Sequence, residues 1–149
     1  MKLEDEIIQK NFDSEYGKLA VNIIFTYGWL TSFYSKILSK YNLTIQQYNI
    51  LRILRGQYPN AANIGLLKSR MLDKMSDASR LVDRLNNKKL IQKKFCAEDR
   101  RRVNVVITAK GLKLLKKIDL HKNEFEDKLK LLTPSEAQKL NNLLDKMRG

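Results

Sequence analysis

SDASRLVDRLNNKKLIQKKFCAEDRRRVNVVITAKG, residues 76–111, is the stretch that decides the fold. Its apolar spacing changes once along its length. From Ser76 to Lys88, Ala78, Leu81, Val82 and Leu85 recur at helical intervals, which predicts a helix with a single apolar side. After Leu90 the period falls to two. Ile91, Lys93 and Phe95 alternate, as do Val103, Val105 and Ile107, and both runs read as strands. The polar segment Ala97-Glu98-Asp99-Arg100-Arg101-Arg102 between them reads as the tip of a β-hairpin. Thr108 then serves as the N-cap of a new helix that opens Ala109-Lys110-Gly111.

The helix over 76–88 has an outward face of Asp77, Ser79, Arg80, Asp83, Arg84 and Asn87. These are hydrogen-bonding and cationic side chains on an element short enough to enter a DNA major groove. Ser76 is its expected N-cap. A shorter helical piece precedes it, from Asn63 to Met71, with Ile64, Leu67 and Met71 on one side. About four residues, Leu72 to Met75, connect the two, a length that suits a helix-turn-helix.

Further upstream, Thr44 and Gln47 have the spacing of a capping box for a helix through Tyr48, Ile50, Leu51, Ile53 and Leu54, ending near Gly56. Before it, Tyr16, Ala20, Ile23, Tyr27, Leu30, Tyr34, Ile37 and Tyr41 step by four and three. That seam marks a helix that packs along another helix. Downstream, Leu112, Leu115, Ile118, Phe125, Leu129 and Leu132 give the helix after Thr108 an apolar side. Thr133-Pro134-Ser135-Glu136 is a strong start signal for a last helix, which carries Ala137, Leu140, Leu143, Leu144 and Met147. The fold class is mainly α with a small β-hairpin wing. The terminal helices are too apolar for so small a winged module to cover, so they are expected to pair with a second chain.

Charge is unevenly placed. The chain of 149 residues has a formal net charge of +13, and residues 63–111 alone hold +8 of it. A clustered basic surface is the footprint of a nucleic-acid binder, although solubility by itself also calls for net charge. One histidine, His121, and one cysteine, Cys96, leave little for a metal cluster, a His-based triad or a disulfide. No Gly-rich phosphate loop is present. The reading is therefore a non-enzyme without a cofactor, cytoplasmic, with no membrane span and no signal peptide. Cys96 reads as inert packing, and His121, on a charged stretch of helix, as solvated.

From Leu43 to Gly111 the chain resembles the MarR family of winged helix-turn-helix transcription regulators. The resemblance rests on Leu43-Thr44-Ile45-Gln46-Gln47-Tyr48-Asn49-Ile50-Leu51, on Ser76-Asp77-Ala78-Ser79-Arg80-Leu81-Val82-Asp83-Arg84-Leu85, and on Asp99-Arg100-Arg101-Arg102-Val103 through Ile107-Thr108-Ala109-Lys110-Gly111. It implies one domain over 1–149, with a DNA-binding module at about 43–111 and dimerisation helices at about 5–41 and 112–149. It also implies a homodimer on a pseudo-palindromic duplex, one recognition helix per half-site. Arg80 and Arg84 would read guanine or clamp phosphate. Ser76 and Ser79 would bond phosphate or base edges, Ser76 serving alternatively as a cap. Asp77 would accept from a cytosine amine or stabilise the helix N-terminus. In the wing, Asp99 would hold Arg101 toward the minor groove, while Arg100 and Arg102 contact phosphate. Asp83 would brace a neighbouring arginine or stand solvated. Tyr27, Trp29 and Phe33 would line a pocket for a small aromatic effector or belong to the core. One departure stands out. Where the family usually has a glycine before the leucine that is Leu90 here, this chain has Lys89. A left-handed backbone at that position would cost a non-glycine residue about 1 kcal/mol.

The expected function is thus a sequence-specific regulator, a repressor released by ligand. The alternative is a non-specific architectural DNA binder, which the charge alone fits equally well.

Overall fold

A computed structural model describes residues 2–95 and 103–149. By their contacts the residues fall into two compact units, Met1–Ile45 and Gln46–Gly149.

The first unit holds α1 (Leu3–Glu6) and α2 (Glu15–Ser39). The Ser14 side chain accepts from the Gly17 amide and so starts α2. Lys18 on α2 pairs with Glu4 on α1 and lies 6.0 Å from the Phe12 ring centroid. The end of α2 is wound by the Leu43 amide, which reaches back to the Leu38 carbonyl at 3.2 Å, with Asn42 left-handed at φ 54°. The tyrosine seam grades along the helix. Tyr16 is 85% exposed and Tyr27 64%, Tyr34 is half-buried, and Ile37 is buried.

The second unit contains α3 from Gln46 onward (the whole helix is Ile45–Gln57), β1 (Ala62–Asn63), α4 (Ile64–Arg70), α5 (Ala78–Asn87), β2 (Ile91–Phe95), β3 (Val103–Ile107), α6 (Ala109–Asp119), α7 (Lys122–Asp127) and α8 (Pro134–Arg148). The sheet is antiparallel in the order β1-β3-β2. Ile91 opposes Ile107, Lys93 opposes Val105 and Phe95 opposes Val103, the register that the alternating pattern requires. The core is built from Ile50, Leu51 and Leu54 of α3, Leu67 of α4, Met71, Val82 and Leu85 of α5, Ile91, Val105, and Leu115 and Ile118 of α6, all fully buried. Each contributes roughly 1.5–3 kcal/mol relative to an exposed position.

The structure departs from the sequence reading in four places. A two-residue strand, β1, adds a third member to the hairpin by pairing Ala62 with Val105. Two residues are too few to show periodicity. The short α1 was likewise without a pattern. The helix expected to run on from Thr108 breaks after Asp119, where the Leu120 and His121 amides bond three residues back, to Lys117 and Ile118. Ile118 and Phe125 are two helical turns apart, so their spacing gave no sign of the break. The helix expected from Ser76 starts at Ala78, and its N-cap is Asp77.

The strong start signal at Thr133 is realised in full. Its hydroxyl accepts from the Glu136 amide, and the Glu136 carboxylate accepts from the Thr133 amide at 2.8 Å. This holds the Glu136 carboxyl below its ordinary pKa, the Thr133 amide being the larger cause and its hydroxyl the next. No residue of α8 is buried, and Leu140, Leu143 and Met147 are exposed on it.

Candidate nucleic-acid interface

The interface begins with how α4 and α5 are held. Asn63 caps α4 by accepting from the Leu66 amide at 2.8 Å. The turn that follows is fixed by side chains. The Leu72 amide donates to Asn49 Oδ1 of α3 at 2.9 Å. Asp73 accepts from the Ser76 hydroxyl at 2.7 Å and from the Met75 amide at 3.0 Å. Those two bonds, the hydroxyl first, hold the Asp73 carboxyl below its ordinary pKa. Lys74 Nζ donates to the Ser69 carbonyl at 2.6 Å. Because the Ser76 hydroxyl is committed to Asp73, the adjacent Asp77 accepts from the Arg80 amide at 3.0 Å and starts α5. Of the two roles open to Asp77, the helix cap is the one its geometry displays.

α5 then separates two faces. Ala78, Val82 and Leu85 are buried, while Ser79, Arg80, Asp83, Arg84 and Asn87 are exposed. Spacings of one, three, one and three residues put these five on one side of the helix. Among the described residues Asp83 has no arginine as its ionic partner. It pairs with Lys93 on β2, whose amide also lies 3.4 Å from Asn86 Oδ1. Among the described residues Arg80 and Arg84 have no ionic partner, and both are exposed.

The exit from α5 is unusually well tied. Lys89 adopts φ 59°, the left-handed turn anticipated for the position, and its amide donates to the Asn86 carbonyl at 2.8 Å. Thr108 donates its hydroxyl to the Lys89 carbonyl at 2.9 Å and its amide to Leu90 at 3.1 Å, while accepting from the Gly111 amide as the N-cap of α6. Lys110 Nζ donates to the Lys88 carbonyl at 2.9 Å. Gly111 sits so close beneath this corner that a Cβ would lie 2.3 Å from the Leu90 carbonyl oxygen. Here glycine is required by space.

The wing residues Asp99, Arg100, Arg101 and Arg102, and Cys96 with them, lie outside the described residues. The two strands that flank them are in place. The aromatic trio is not brought together. Trp29 and Phe33, four residues apart on α2, share a face, but Tyr27 lies roughly 160° around the helix from Trp29. Phe33 meets Tyr34 edge to face, with centroids 6.3 Å apart. His121 is less solvated than expected, only 19% exposed in its side chain, with Nδ1 2.5 Å from Glu124. Among the described residues no group of three or more His, Cys, Asp or Glu is placed to hold a metal ion. No helix there is long and apolar enough to cross a membrane. Sequence reasoning left Asp73 and Lys93 without roles. Asp73 carried a usable signal, an Asx residue three positions before a serine in a turn. Lys93 is fixed only by tertiary pairing.

The family model for the transcriptional regulator SarA/Rot matches residues 32–118, from within α2 to the end of α6. The chain belongs to the SarA/Rot family of MarR-type transcriptional regulators. Three solved structures extend the likeness of this SarA/Rot-family chain. A MarR transcription factor from Planctomyces limnophilus is 31% identical, with a TM-score of 0.71 over 91% of this chain and 98% of that one. A mutant MarR from E. coli complexed with operator DNA shares the fold at 23% identity, with a TM-score of 0.77 over 99% of both chains. BpsR from Bordetella bronchiseptica, whose DNA binding is regulated by 6-hydroxynicotinic acid, shares it at 21% identity, with a TM-score of 0.76 over 89% of this chain and 99% of that one. No curated protein matches the sequence.

Proposed function

We propose that this regulator binds double-stranded DNA sequence-specifically as a homodimer on a pseudo-palindromic operator, and that it acts as a repressor released by a small aromatic ligand. The observation that carries the DNA reading is the exposed face of α5, where Ser79, Arg80 and Arg84 stand together on one side of a helix capped by Asp77. Arg80 and Arg84 suit guanine edges or phosphates, and Ser79 a base edge or phosphate. Ser76 and Asp77 act behind them, through the turn and the cap. Asp99 and Arg101, with Arg100 and Arg102, are the proposed minor-groove contacts of the wing.

Dimerisation rests on the apolar side chains that the helices leave uncovered: Tyr16, Ile24 and Tyr27 on α2, and Leu140, Leu143 and Met147 on α8. Large apolar side chains left exposed in this way on each of the two helices are the kind of surface that a protein partner covers. The resemblance to a ligand-regulated fold supports the effector, with Trp29 and Phe33 on one face of α2 as its candidate contacts and Tyr27 apart from them. A ligand acts here only in so far as it binds one arrangement of the two recognition helices better than the other.

The test is affinity across a salt series for the duplex upstream of the gene that encodes the protein, against a scrambled duplex of equal length. Selectivity of at least about a thousandfold at physiological salt, with two protomers per site, is the expected result. Equal affinity for every duplex offered, with a steep salt dependence, would instead establish an architectural binder.

A further inference from the structure

The turn between α4 and α5 presents two large apolar side chains to solvent: Leu72 is 82% exposed and Met75 94%. Neither belongs to a loose segment. The Leu72 amide is held by Asn49, the Met75 amide by Asp73, and Asp73 in turn by the Ser76 hydroxyl. The backbone that carries both side chains is therefore anchored, and it lies in the chain directly ahead of the N-terminus of α5, the end at which a recognition helix meets base edges.

What would cover them is decided by their surroundings. Lys68, Arg70, Lys74, Arg80 and Arg84 are all exposed on the same stretch of chain. Its two acids before Arg80, Asp73 and Asp77, are engaged with the turn and the helix cap. So cationic a rim selects a polyanion. A DNA duplex offers one apolar group in its major groove, the C5 methyl of thymine. Resting on the DNA-binding reading above, we propose that Leu72 and Met75 are specificity-determining residues that pack on thymine methyl groups at the edge of the half-site, beside the bases that α5 reads.

The full-length chain is first offered a pool of random duplexes to select its half-site. Each thymine of the selected duplex is then replaced in turn by deoxyuridine, which removes the methyl and leaves every hydrogen-bonding group. The wild type is expected to lose about three- to fivefold in affinity at one or two thymines, the worth of one buried methyl. Met75→Ser or Leu72→Ser should lose a similar factor on the thymine duplex, lose nothing further on deoxyuridine, and keep the wild-type melting temperature. If deoxyuridine has no effect at any position, or the serine variants weaken both duplexes equally, the assignment is wrong while the regulator stands. A contact of these side chains with a protein partner would appear as that first outcome. If no duplex is selected over the random pool, the DNA-regulator reading fails and this inference falls with it.

Discussion

Lys89 stands where the resembled family usually has a glycine, and it takes the left-handed backbone that a glycine there would favour. The chain must turn out of α5 through a left-handed residue before β2, and a lysine does this at φ 59° where glycine would be unstrained. Replacing it should relieve that strain. Lys89→Gly is expected to raise unfolding stability by about 1 kcal/mol, seen as a higher urea midpoint with an unchanged slope. Gly111 presents the opposite case. A Cβ there would lie 2.3 Å from the Leu90 carbonyl oxygen and 2.7 Å from Ile107 Cγ1. Gly111→Ala should destabilise the protein by about 1–3 kcal/mol, since backbone and core must both shift. Thermal melts of the two variants, moving in opposite directions, would check both statements.

At the scale of elements, most boundaries could be read from local chemistry. Thr133-Pro134-Ser135-Glu136 and Thr108 start helices as their types dictate, and the alternation around Val105 fixes the hairpin register. The start of α5 could not be read in this way. Ser76 and Asp77 are both competent caps, and the choice was made by Asp73, which captures the serine. Strand β1 was illegible for a different reason: its two residues owe their conformation to β3 and not to themselves. On the site, the outward face of α5 followed from periodicity, whereas the Asp83–Lys93 pair joins residues ten apart on different elements and has no periodic signature. The Asp73 bonds predict a pH dependence. A carboxyl whose folded pKa is lowered stabilises the turn above the ordinary carboxylate pKa, and that contribution is lost as pH falls through the folded value. Wild type should therefore exceed Asp73→Asn in melting temperature at about pH 6 and converge with it at about pH 2. A gap that stays constant with pH would contradict the pairing.

At the scale of the molecule, two exposed surfaces bear on the proposed function. The exposed face of α5 makes Arg80→Ala the informative substitution for DNA. It should cost about 1–3 kcal/mol on the specific duplex and much less on random duplex, measured by titration at fixed salt. The exposed apolar row on α8 makes the matching prediction for self-association. Leu143→Glu, at a position already 54% exposed, should leave the isolated fold intact and shift the protein from dimer to monomer in sedimentation. Operator affinity should fall with it, because one half-site contact is lost.

The corner where α5 ends and α6 begins gives the wing a further property. Residues 88–90 and 108–111 are bound to each other by the Thr108 amide and hydroxyl and by Lys110, with Gly111 packed against Leu90. The hairpin is therefore a loop whose two ends are already joined, independently of its tip. Once a loop is closed at its base, its length enters the free energy only logarithmically, at about 0.6 kcal/mol per doubling. Changes in the length or sequence of the span between Phe95 and Val103 are accordingly expected to leave α5 in its seat, so that span and the outward face of α5 can be altered one without the other.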